Sequence, residues 1–348
     1  MRENTFLQWM TENTQTRWCN DSALPADYGD AVRYGAIGCT TNPPLTYEAI
    51  STHPERYGAM VAEIKQRIPL AADRVVEYLG VVVRDVALAF SGIYRESGGK
   101  VGFVRSQVEP KRSADAQAML EMGKRIASFG ENVMVKIPGT KAGIWVLEEL
   151  AALGIPTNPT VCVSVSQVIA TAQAYERGCA RAAKAGIARA QSTSALVVGR
   201  LQDYLAVLNE ERGKPLAQAE LDTAALAVMK RAGALFAERG YAQRLMPAAF
   251  RSPAQVTELV GGDFHMTIHP KIQDLLIDAE RSGRLRHEQA IDRPVDERVV
   301  DKVAKALPEF RAAYEVDGMT IDDFDAFGAT KMTLAAFDAT GWRKLEAL

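Results

Sequence analysis

One lysine, Lys136, interrupts an apolar segment that runs from Val133 to Pro138. In a β-strand alternate side chains face opposite sides, so Lys136 shares a face with Met134, and both faces of this segment are apolar. Burying an unpaired ammonium costs several kcal/mol, and desolvation lowers the pKa of such an amine. A neutral amine can attack a carbonyl and form a Schiff base. The alternative is a strand-end lysine that reaches water or pairs with a carboxylate.

Eight short segments could position such a lysine. They are rich in Val, Ile and Met and flanked by Gly, Pro or Asn, which predicts strands. The predicted strands are 16–20, 36–41, 101–108, 132–138, 155–163, 194–198, 245–249 and 265–268. Between them, apolar residues recur at helical spacing. The predicted helices include 47–66, 73–95, 114–129, 142–153, 166–184 and 221–239.

Strands that alternate with helices predict parallel strands joined by crossover helices. The fold expected is α/β, a (β/α)8 TIM barrel with additional C-terminal helices. An open doubly wound sheet is the alternative, but no G-x-G-x-x-G or P-loop follows the early strands. We expect a single domain over 1–348, in which 291–348 is a helical extension packed on the barrel, with helices at 299–314 and 321–348.

The composition argues against several classes of protein. The 348 residues have a formal net charge of −2 and no basic block, which argues against nucleic-acid binding. No apolar run approaches a membrane span of about 20 residues, and the polar N-terminus lacks a signal-peptide core. The cysteines form no CxxC pair and the histidines no metal cluster, so we expect a cytoplasmic protein without metal or other cofactor.

Polar residues follow or end every predicted strand, where a barrel of this type has its active site. Amides and hydroxyls would bind a polyhydroxylated chain, a carboxylate would transfer protons during C–C cleavage, and two arginines suit a phosphate. The residues in question are Asn20, Asp21, Thr40, Asn42, Arg105, Gln107, Lys136, Asn158, Thr160, Arg200, Arg251 and His269.

Most of these residues also have a purely structural interpretation. Asn42 and Asn158 precede prolines and suit turns. Asp21 suits a helix cap, Thr160 is an ordinary β-branched strand residue, and either arginine suits a surface ion pair. Gln107 is harder to explain structurally because a buried amide needs partners. The combination, not any single residue, indicates a site.

Five ordered segments together resemble the transaldolase family of class I Schiff-base aldolases. The resemblance covers about residues 16 to 275, and the C-terminal helices are similar too. The segments are Gly38-Cys-Thr-Thr-Asn-Pro, Val135-Lys-Ile-Pro-Gly-Thr-Lys-Ala-Gly-Ile, Gly154-Ile-Pro-Thr-Asn-Pro-Thr, Val198-Gly-Arg-Leu-Gln-Asp-Tyr and Ala248-Ala-Phe-Arg.

The resemblance implies a role for each matching residue. Lys136 would form the imine with the substrate ketone, and Asp21 would handle the hydroxyl proton released as the C3–C4 bond breaks. Thr160 would position a water that relays protons. The three-carbon unit and the phosphate would be held by substrate-binding residues, namely Thr40, Asn42, Asn158, Arg200 and Arg251. No cofactor is required, because the protonated imine is the electron sink.

The chain also departs from the family pattern. Gln107 replaces the usual glutamate, as in the fructose-6-phosphate aldolase branch. In a catalytic role it can orient a water but cannot accept its proton, so proton transfer falls more heavily on Asp21. Val197 replaces an aromatic residue and Ala249 a phosphate-binding serine. The other expected serine is displaced, with Ala195 at its position and Ser194 beside it as a candidate substrate contact. Arg105 replaces a small residue and would bind an additional anion or pair with Asp21, so we expect an altered pocket.

The sequence therefore predicts an enzyme that transfers a dihydroxyacetone unit between a ketose (phosphate) and an aldose (phosphate) through a Schiff base on Lys136. One alternative is an aldolase that releases free dihydroxyacetone or a related ketone. Another is a non-catalytic relative that binds sugar phosphates. Sugars or sugar phosphates are the expected small-molecule partners, with no nucleic acid and no membrane. The sequence leaves the oligomeric state open, a homo-oligomer included.

Overall fold

The computed structural model describes residues 5–348, and all eight predicted strands are present. Six of them lie within the segment expected, and the sixth and seventh are each shifted by one residue toward the N-terminus. The strands are β1 Arg17–Asn20, β2 Gly38–Thr40, β3 Phe103–Gln107, β4 Val133–Pro138, β5 Thr157–Thr160, β6 Thr193–Val197, β7 Arg244–Ala248 and β8 His265–Ile268.

The strands form a closed cylinder. Six are hydrogen-bonded side by side in the order β5-β4-β3-β2-β1-β8, and β6 pairs with β7, all in parallel. Isolated bridges join the two sets, since Cys162 pairs with Leu196 and Leu245 with Phe264. The predicted (β/α)8 barrel is confirmed.

Helices surround this barrel and extend beyond it at the C-terminus. The α-helices are α1 Phe6–Asn13, α2 Pro25–Arg33, α3 Pro43–Thr52, α4 Pro54–Arg67, α5 Ala71–Glu96, α6 Ala116–Ala127, α7 Lys141–Ala152, α8 Val165–Lys184, α9 Val198–Glu211, α10 Gln218–Arg239, α11 Pro253–Thr257, α12 Pro270–Arg281, α13 Glu297–Ala306, α14 Pro308–Tyr314, α15 Gly328–Phe337 and α16 Arg343–Glu346. Short 3₁₀ turns lie at Pro110–Arg112 and Ile321–Asp323, and a π-helical turn lies at Asp338–Trp342.

Three helices expected to be continuous are broken. The segment 47–66 divides into α3 and α4 at His53, and 299–314 divides into α13 and α14 at Leu307. In both cases a proline follows, and the residue before a proline is disfavoured in the helical conformation. The segment 321–348 divides because the π-helical turn interrupts it.

Two regions bury the apolar side chains. The larger cluster lies between the outer faces of the strands and the surrounding helices. Inside the barrel, Cys19, Ala195 and Met246 pack together with Ile37. The layer of the barrel interior that these residues form contains small or flexible side chains. It leaves space for larger polar side chains in the adjacent layers.

The C-terminal elements pack against the mouth of the barrel. Gly341, in the π-helical turn, lies so close to α3 that an added Cβ would be 2.3 Å from the backbone nitrogen of Pro44. Asp325 accepts a hydrogen bond from the backbone N–H of Lys141, at the start of α7, at 2.8 Å. The single-domain assignment over 1–348 stays a prediction.

Within residues 5–348, no helix is both long enough and apolar enough to cross a bilayer.

The contact at Gly341 generates a prediction about stability. Replacing Gly341 with Ala should lower the free energy of unfolding by about 1–3 kcal/mol, because the added methyl group has to displace the Pro43–Pro44 backbone. Chemical denaturation measures this change. Gly92 is the matched control, since a Cβ there meets nothing within 4 Å and G92A should be neutral or stabilising. Equal effects of the two substitutions would contradict the close packing.

Candidate active site

Lys136 lies on β4, whose six residues are all buried, and is itself 6% exposed. Its Nζ donates one hydrogen bond, to the backbone oxygen of Thr41 at 3.0 Å. Within residues 5–348, Lys136 forms no ion pair with a carboxylate. Of the two interpretations open from sequence, the structure therefore favours the buried, unpaired amine.

Burial lowers the pKa of Lys136 to about 8, and the positive charge of Arg105 acts in the same direction. Asp21 and Cys39 oppose this shift but do not cancel it. At pH 7 about a tenth of an amine with this pKa is neutral, compared with less than ~0.1% of an ordinary lysine. Lys136 is thus suited to nucleophilic attack near neutral pH.

Two buried amides flank this amine. The strand register places Gln107 of β3 beside Lys136 on one side and Asn158 of β5 on the other. Asn158 donates through Nδ2 to the backbone carbonyl of Thr193, but its Oδ1 has no partner, and neither has Oε1 of Gln107. Buried acceptors without partners are rare, so these oxygens are available to hydroxyl groups of a ligand.

Asp21 directly follows β1, and its neighbour settles the direction in which it points. Asn20 faces outward, because its Oδ1 accepts a hydrogen bond from Gln273 on α12 at 2.9 Å. Asp21 faces the barrel, where the hydroxyl of Thr40 donates to its Oδ1 at 2.6 Å. Thr40 in turn lies 2.6 Å from the hydroxyl of Thr267. This hydroxyl pair fixes the orientation of the carboxylate.

Asn42 lies two residues after β2, and Thr160 is the last residue of β5. Asn42 caps α3, since its Oδ1 accepts the backbone N–H of Leu45 at 2.9 Å, so its predicted turn chemistry is present. It also lines the cavity above Asp21. Thr160 is buried and shares the inward face of β5 with Asn158. The next residue, Val161, has φ 58°, a left-handed conformation that is costly for a β-branched residue and concentrates at functional sites.

A cavity of about 430 Å³ opens at the carboxyl ends of the strands. Its wall combines polar groups on one side with apolar side chains from α3, α12 and the C-terminal elements. The lining residues are Asp21, Asn42, Pro44, Leu45, Arg200, Ala249, Phe250, Arg251, His269, Lys271, Ile272, Phe337 and Thr340. This volume suits a small metabolite.

Both predicted arginines, Arg200 and Arg251, line this cavity, but their interaction partners differ. Arg251 donates from Nε to Asp203 at 2.9 Å and from Nη1 to the Ala249 carbonyl at 2.8 Å. Arg200 stacks over the ring of Phe337, with 5.7 Å between Cζ and the ring centroid, and forms no ion pair within residues 5–348. Burial and the charge of Arg251 lower the pKa of Arg200. An anion entering the cavity would therefore find Arg200 without a competing carboxylate.

Local backbone geometry brings these arginines together. Ala249 has φ 62°, which turns the chain sharply after β7. Gly199 permits the turn, because a Cβ there would overlap the Ala249 carbonyl oxygen and lie 2.9 Å from the Arg251 guanidinium. Residue 199, between β6 and Arg200, must therefore be glycine because the backbone of Ala249 leaves no space for a Cβ, and not because its backbone angles require glycine.

Of the predicted site residues, Asp21, Asn42, Arg200 and Arg251 line the cavity. Lys136 and its neighbours in the barrel interior are not part of the cavity wall, namely Thr40, Gln107, Asn158 and Thr160.

Two other predicted substrate contacts, Ser194 and Arg105, point away from the cavity. Ser194 faces outward, where its hydroxyl is 3.0 Å from that of Thr171 on α8, because the strand alternation turns Thr193 and Ala195 inward. Arg105 does face inward, but its Nη1 donates to the Phe103 carbonyl at 3.0 Å, toward the amino ends of the strands. Arg105 forms no ion pair with Asp21, and neither residue fits the role predicted for it.

Sequence reasoning missed several residues of the site. Thr267 had a usable signal, because it alternates with His265 and His269 along β8. Asp203 lies one helical turn after Arg200, which could have indicated a partner for a nearby cation. Phe337 and Thr340 gave no signal, since only the folded C-terminal elements bring them over the barrel.

Comparisons with known proteins agree with this geometry. A model of the family described as "Transaldolase/Fructose-6-phosphate aldolase" matches residues 25–324. A transaldolase of Neisseria meningitidis is 34% identical over 181 residues, and Transaldolase 1 of Streptomyces avermitilis is 33% identical over 196 residues. The first alignment covers 50% of this chain and 50% of the relative, and the second covers 55% of this chain and 51% of the relative. The chain thus spans about half the length of these curated relatives. A transaldolase of Thiobacillus denitrificans is 27% identical over 305 residues, 82% of this chain and 83% of the relative.

The environment of Lys136 predicts how its reactivity depends on pH. Because the pKa of Lys136 is lowered to about 8, the amine becomes neutral at lower pH than an exposed lysine. Its rate of reductive methylation by formaldehyde should rise with pH and reach half its maximum near pH 8, as measured by peptide mass spectrometry. Free Nα-acetyl-lysine is the reference and should reach half-maximum about two pH units higher. Coincident curves would contradict the buried, unpaired amine.

Proposed function

Because this chain belongs to the transaldolase/fructose-6-phosphate aldolase family, we propose that it cleaves a ketose through a Schiff base on Lys136 and transfers the resulting dihydroxyacetone unit to an aldose. The observation that supports this most directly is the buried Lys136 amine without a carboxylate partner, flanked by two amide oxygens that lack hydrogen bonds. An unpaired amine and open acceptors suit a polyhydroxylated ketone better than they suit any interaction within the fold.

The proposed chemistry begins when the neutral amine of Lys136 attacks the ketone carbonyl. A proton delivered to the carbinolamine hydroxyl through the water held by Thr160 lets that hydroxyl leave as water and gives a protonated imine. As the C3–C4 bond breaks, its electron pair moves into the imine and leaves an enamine, while Asp21 accepts the proton of the C4 hydroxyl. Addition of the enamine to an aldose reverses these steps with a new partner, and hydrolysis of the imine returns free Lys136.

The other residues of the site bind and orient in this proposal. Gln107 and Asn158 accept hydrogen bonds from hydroxyls of the three-carbon unit on either side of Lys136. Asn42, whose Oδ1 already caps α3, offers its Nδ2 donors to the cavity. Thr160 positions a water for proton relay. Since glutamine cannot take a proton, proton transfer falls on Asp21, which Thr40 orients.

An anionic end group is held at the mouth of the barrel. Arg200 makes the main contact because it forms no ion pair within residues 5–348, while Arg251 shares its charge with Asp203. Lys271 and the polar ring of His269 line the same cavity. We therefore propose sugar phosphates as substrates. The four buried or half-buried cysteines are free thiols, which fits a protein of the reducing cytoplasm.

Borohydride trapping tests the Schiff base. With fructose 6-phosphate present, borohydride should reduce the imine and leave a stable adduct, detected as a gain in protein mass that maps to the peptide containing Lys136. The K136A variant should form no adduct, and K65A, which removes an exposed lysine, should behave as wild type. If the wild-type protein forms no adduct while it binds the sugar phosphate, the chain is a non-catalytic binder.

Supplying the donor alone separates transfer from simple cleavage. In the transaldolase case, fructose 6-phosphate without an acceptor should release little free dihydroxyacetone, and added erythrose 4-phosphate should restore turnover. Accumulation of free dihydroxyacetone would favour the aldolase, which Gln107 supports as the second candidate. A chromatographic assay that quantifies free dihydroxyacetone and the transfer product distinguishes the transaldolase from the aldolase. Normal turnover of the fructose 6-phosphate and erythrose 4-phosphate pair would also refute an altered substrate range.

A further inference from the structure

Arg105 is a cation enclosed in the barrel without a counter-ion. It is 2% exposed, and within residues 5–348 it forms no ion pair with a carboxylate. Its Nη1 contacts the Phe103 carbonyl at 3.0 Å and the Cys19 sulfur at 3.3 Å, while its Nε has no partner. Taking an unpaired guanidinium out of water costs free energy. The fold bears this cost at Arg105 and keeps an uncompensated positive charge in its interior.

The direction of this side chain is set by a neighbouring glycine. Arg105 faces inward like Gln107, two residues further along β3, and Gln107 pairs with Lys136. The guanidinium occupies the space beside Gly38, where an added Cβ would lie 2.9 Å from its Nη1. It therefore extends toward the amino ends of the strands, on the far side from the cavity. Arg105 is in the same interior as Lys136 but out of reach of a substrate.

The other titratable groups around these two cations leave the positive charge of Arg105 largely uncompensated. Burial raises the pKa of Cys19, and it raises that of Cys39 to about 12, so both thiols are neutral. Burial and the charge of Arg105 hold the pKa of His265, on β8, well below its usual value, so this imidazole is neutral too. The inward residues of β5, Asn158 and Thr160, carry no charge. Asp21 is the carboxylate that acts on Lys136.

We propose that Arg105 is a positioning residue whose fixed positive charge inside the barrel opposes protonation of Lys136 and so increases the fraction of the amine that is neutral near pH 7. Asp21 attracts the protonated form of Lys136, and Arg105 offsets that attraction from the opposite side. Like charges in a medium of low dielectric constant repel over about 10 Å with enough energy to move a titration by on the order of one pH unit. The inference rests on the proposed function only where it concerns imine formation.

Two neutral variants and one charged variant test this proposal. Reductive methylation of Lys136 is followed against pH, without substrate, in R105M, R105Q and R105K. The midpoint should rise by about half to one pH unit in R105M and R105Q and should stay near the wild-type value in R105K. The control is R244M, which removes an exposed arginine that is paired with Asp263 at the amino end of the barrel, and it should leave the midpoint unchanged.

Imine trapping with fructose 6-phosphate adds a second readout. At pH 7 the trapping rate of R105M should fall about three- to ten-fold and should recover toward the wild-type rate above pH 9, because a neutral amine is then plentiful again. A merely structural role would lower the rate at every pH. An unchanged midpoint in a folded neutral variant overturns the proposal, and so does the failure of both neutral variants to fold, since Arg105 would then be structural.

These results also separate the two proposals. If the wild-type protein forms no imine but R105M shifts the Lys136 midpoint, the proposed function fails and the effect of Arg105 stands. If the wild-type protein forms the imine and the midpoint does not move, Arg105 has no effect on Lys136 and the proposed function stands.

Discussion

The site depends on one constraint, which is that β4 is buried on both faces and forces the amine of Lys136 into the barrel. Protonation there is opposed by desolvation, and the one hydrogen bond from Nζ goes to the Thr41 carbonyl, not to a carboxylate. A glutamate in place of Gln107 would stand beside Lys136 in the strand register and stabilise the ammonium. The neutral amide at this position is therefore consistent with a neutral amine, and the carboxylate of Asp21 is held by Thr40.

The mouth of the barrel depends on elements that are far from it in sequence. Phe337 stacks on Arg200, and the Gly341 backbone packs against Pro44, two residues after Asn42. The C-terminal segment thus fixes both the cation and the amide that face the cavity. Unusual left-handed conformations at Val161 and Ala249 lie after β5 and β7, at the same end of the barrel. Strain, close packing and open polar groups coincide there, as expected where geometry serves binding and not stability alone.

The sequence was sufficient for the barrel and for placing most of the candidate residues near the carboxyl ends of the strands, because apolar β-branched segments and strand ends depend on local patterns. The breaks before Pro54 and Pro308 also had a local signal, although helical periodicity across them suggested continuity. Ser194 was misplaced because a shift of one residue in a strand reverses the face of every side chain. The direction of Arg105 could not be predicted, since it depends on the space beside Gly38 on another strand.

The departures from the family pattern inside the barrel are connected through packing. Interiors are filled to nearly constant density, so a large side chain on one strand requires small ones on its neighbours. Arg105 contacts Cys19, and Cys19 packs with Ala195 and Met246, while Gly38 leaves the space that the guanidinium enters. Arg105 in place of a small residue and Ala195 in place of a serine are therefore compatible as a pair. Together the two replacements remove a hydroxyl from the barrel interior and add a positive charge, which acts on the electrostatics around Lys136. Neither residue is part of the cavity wall.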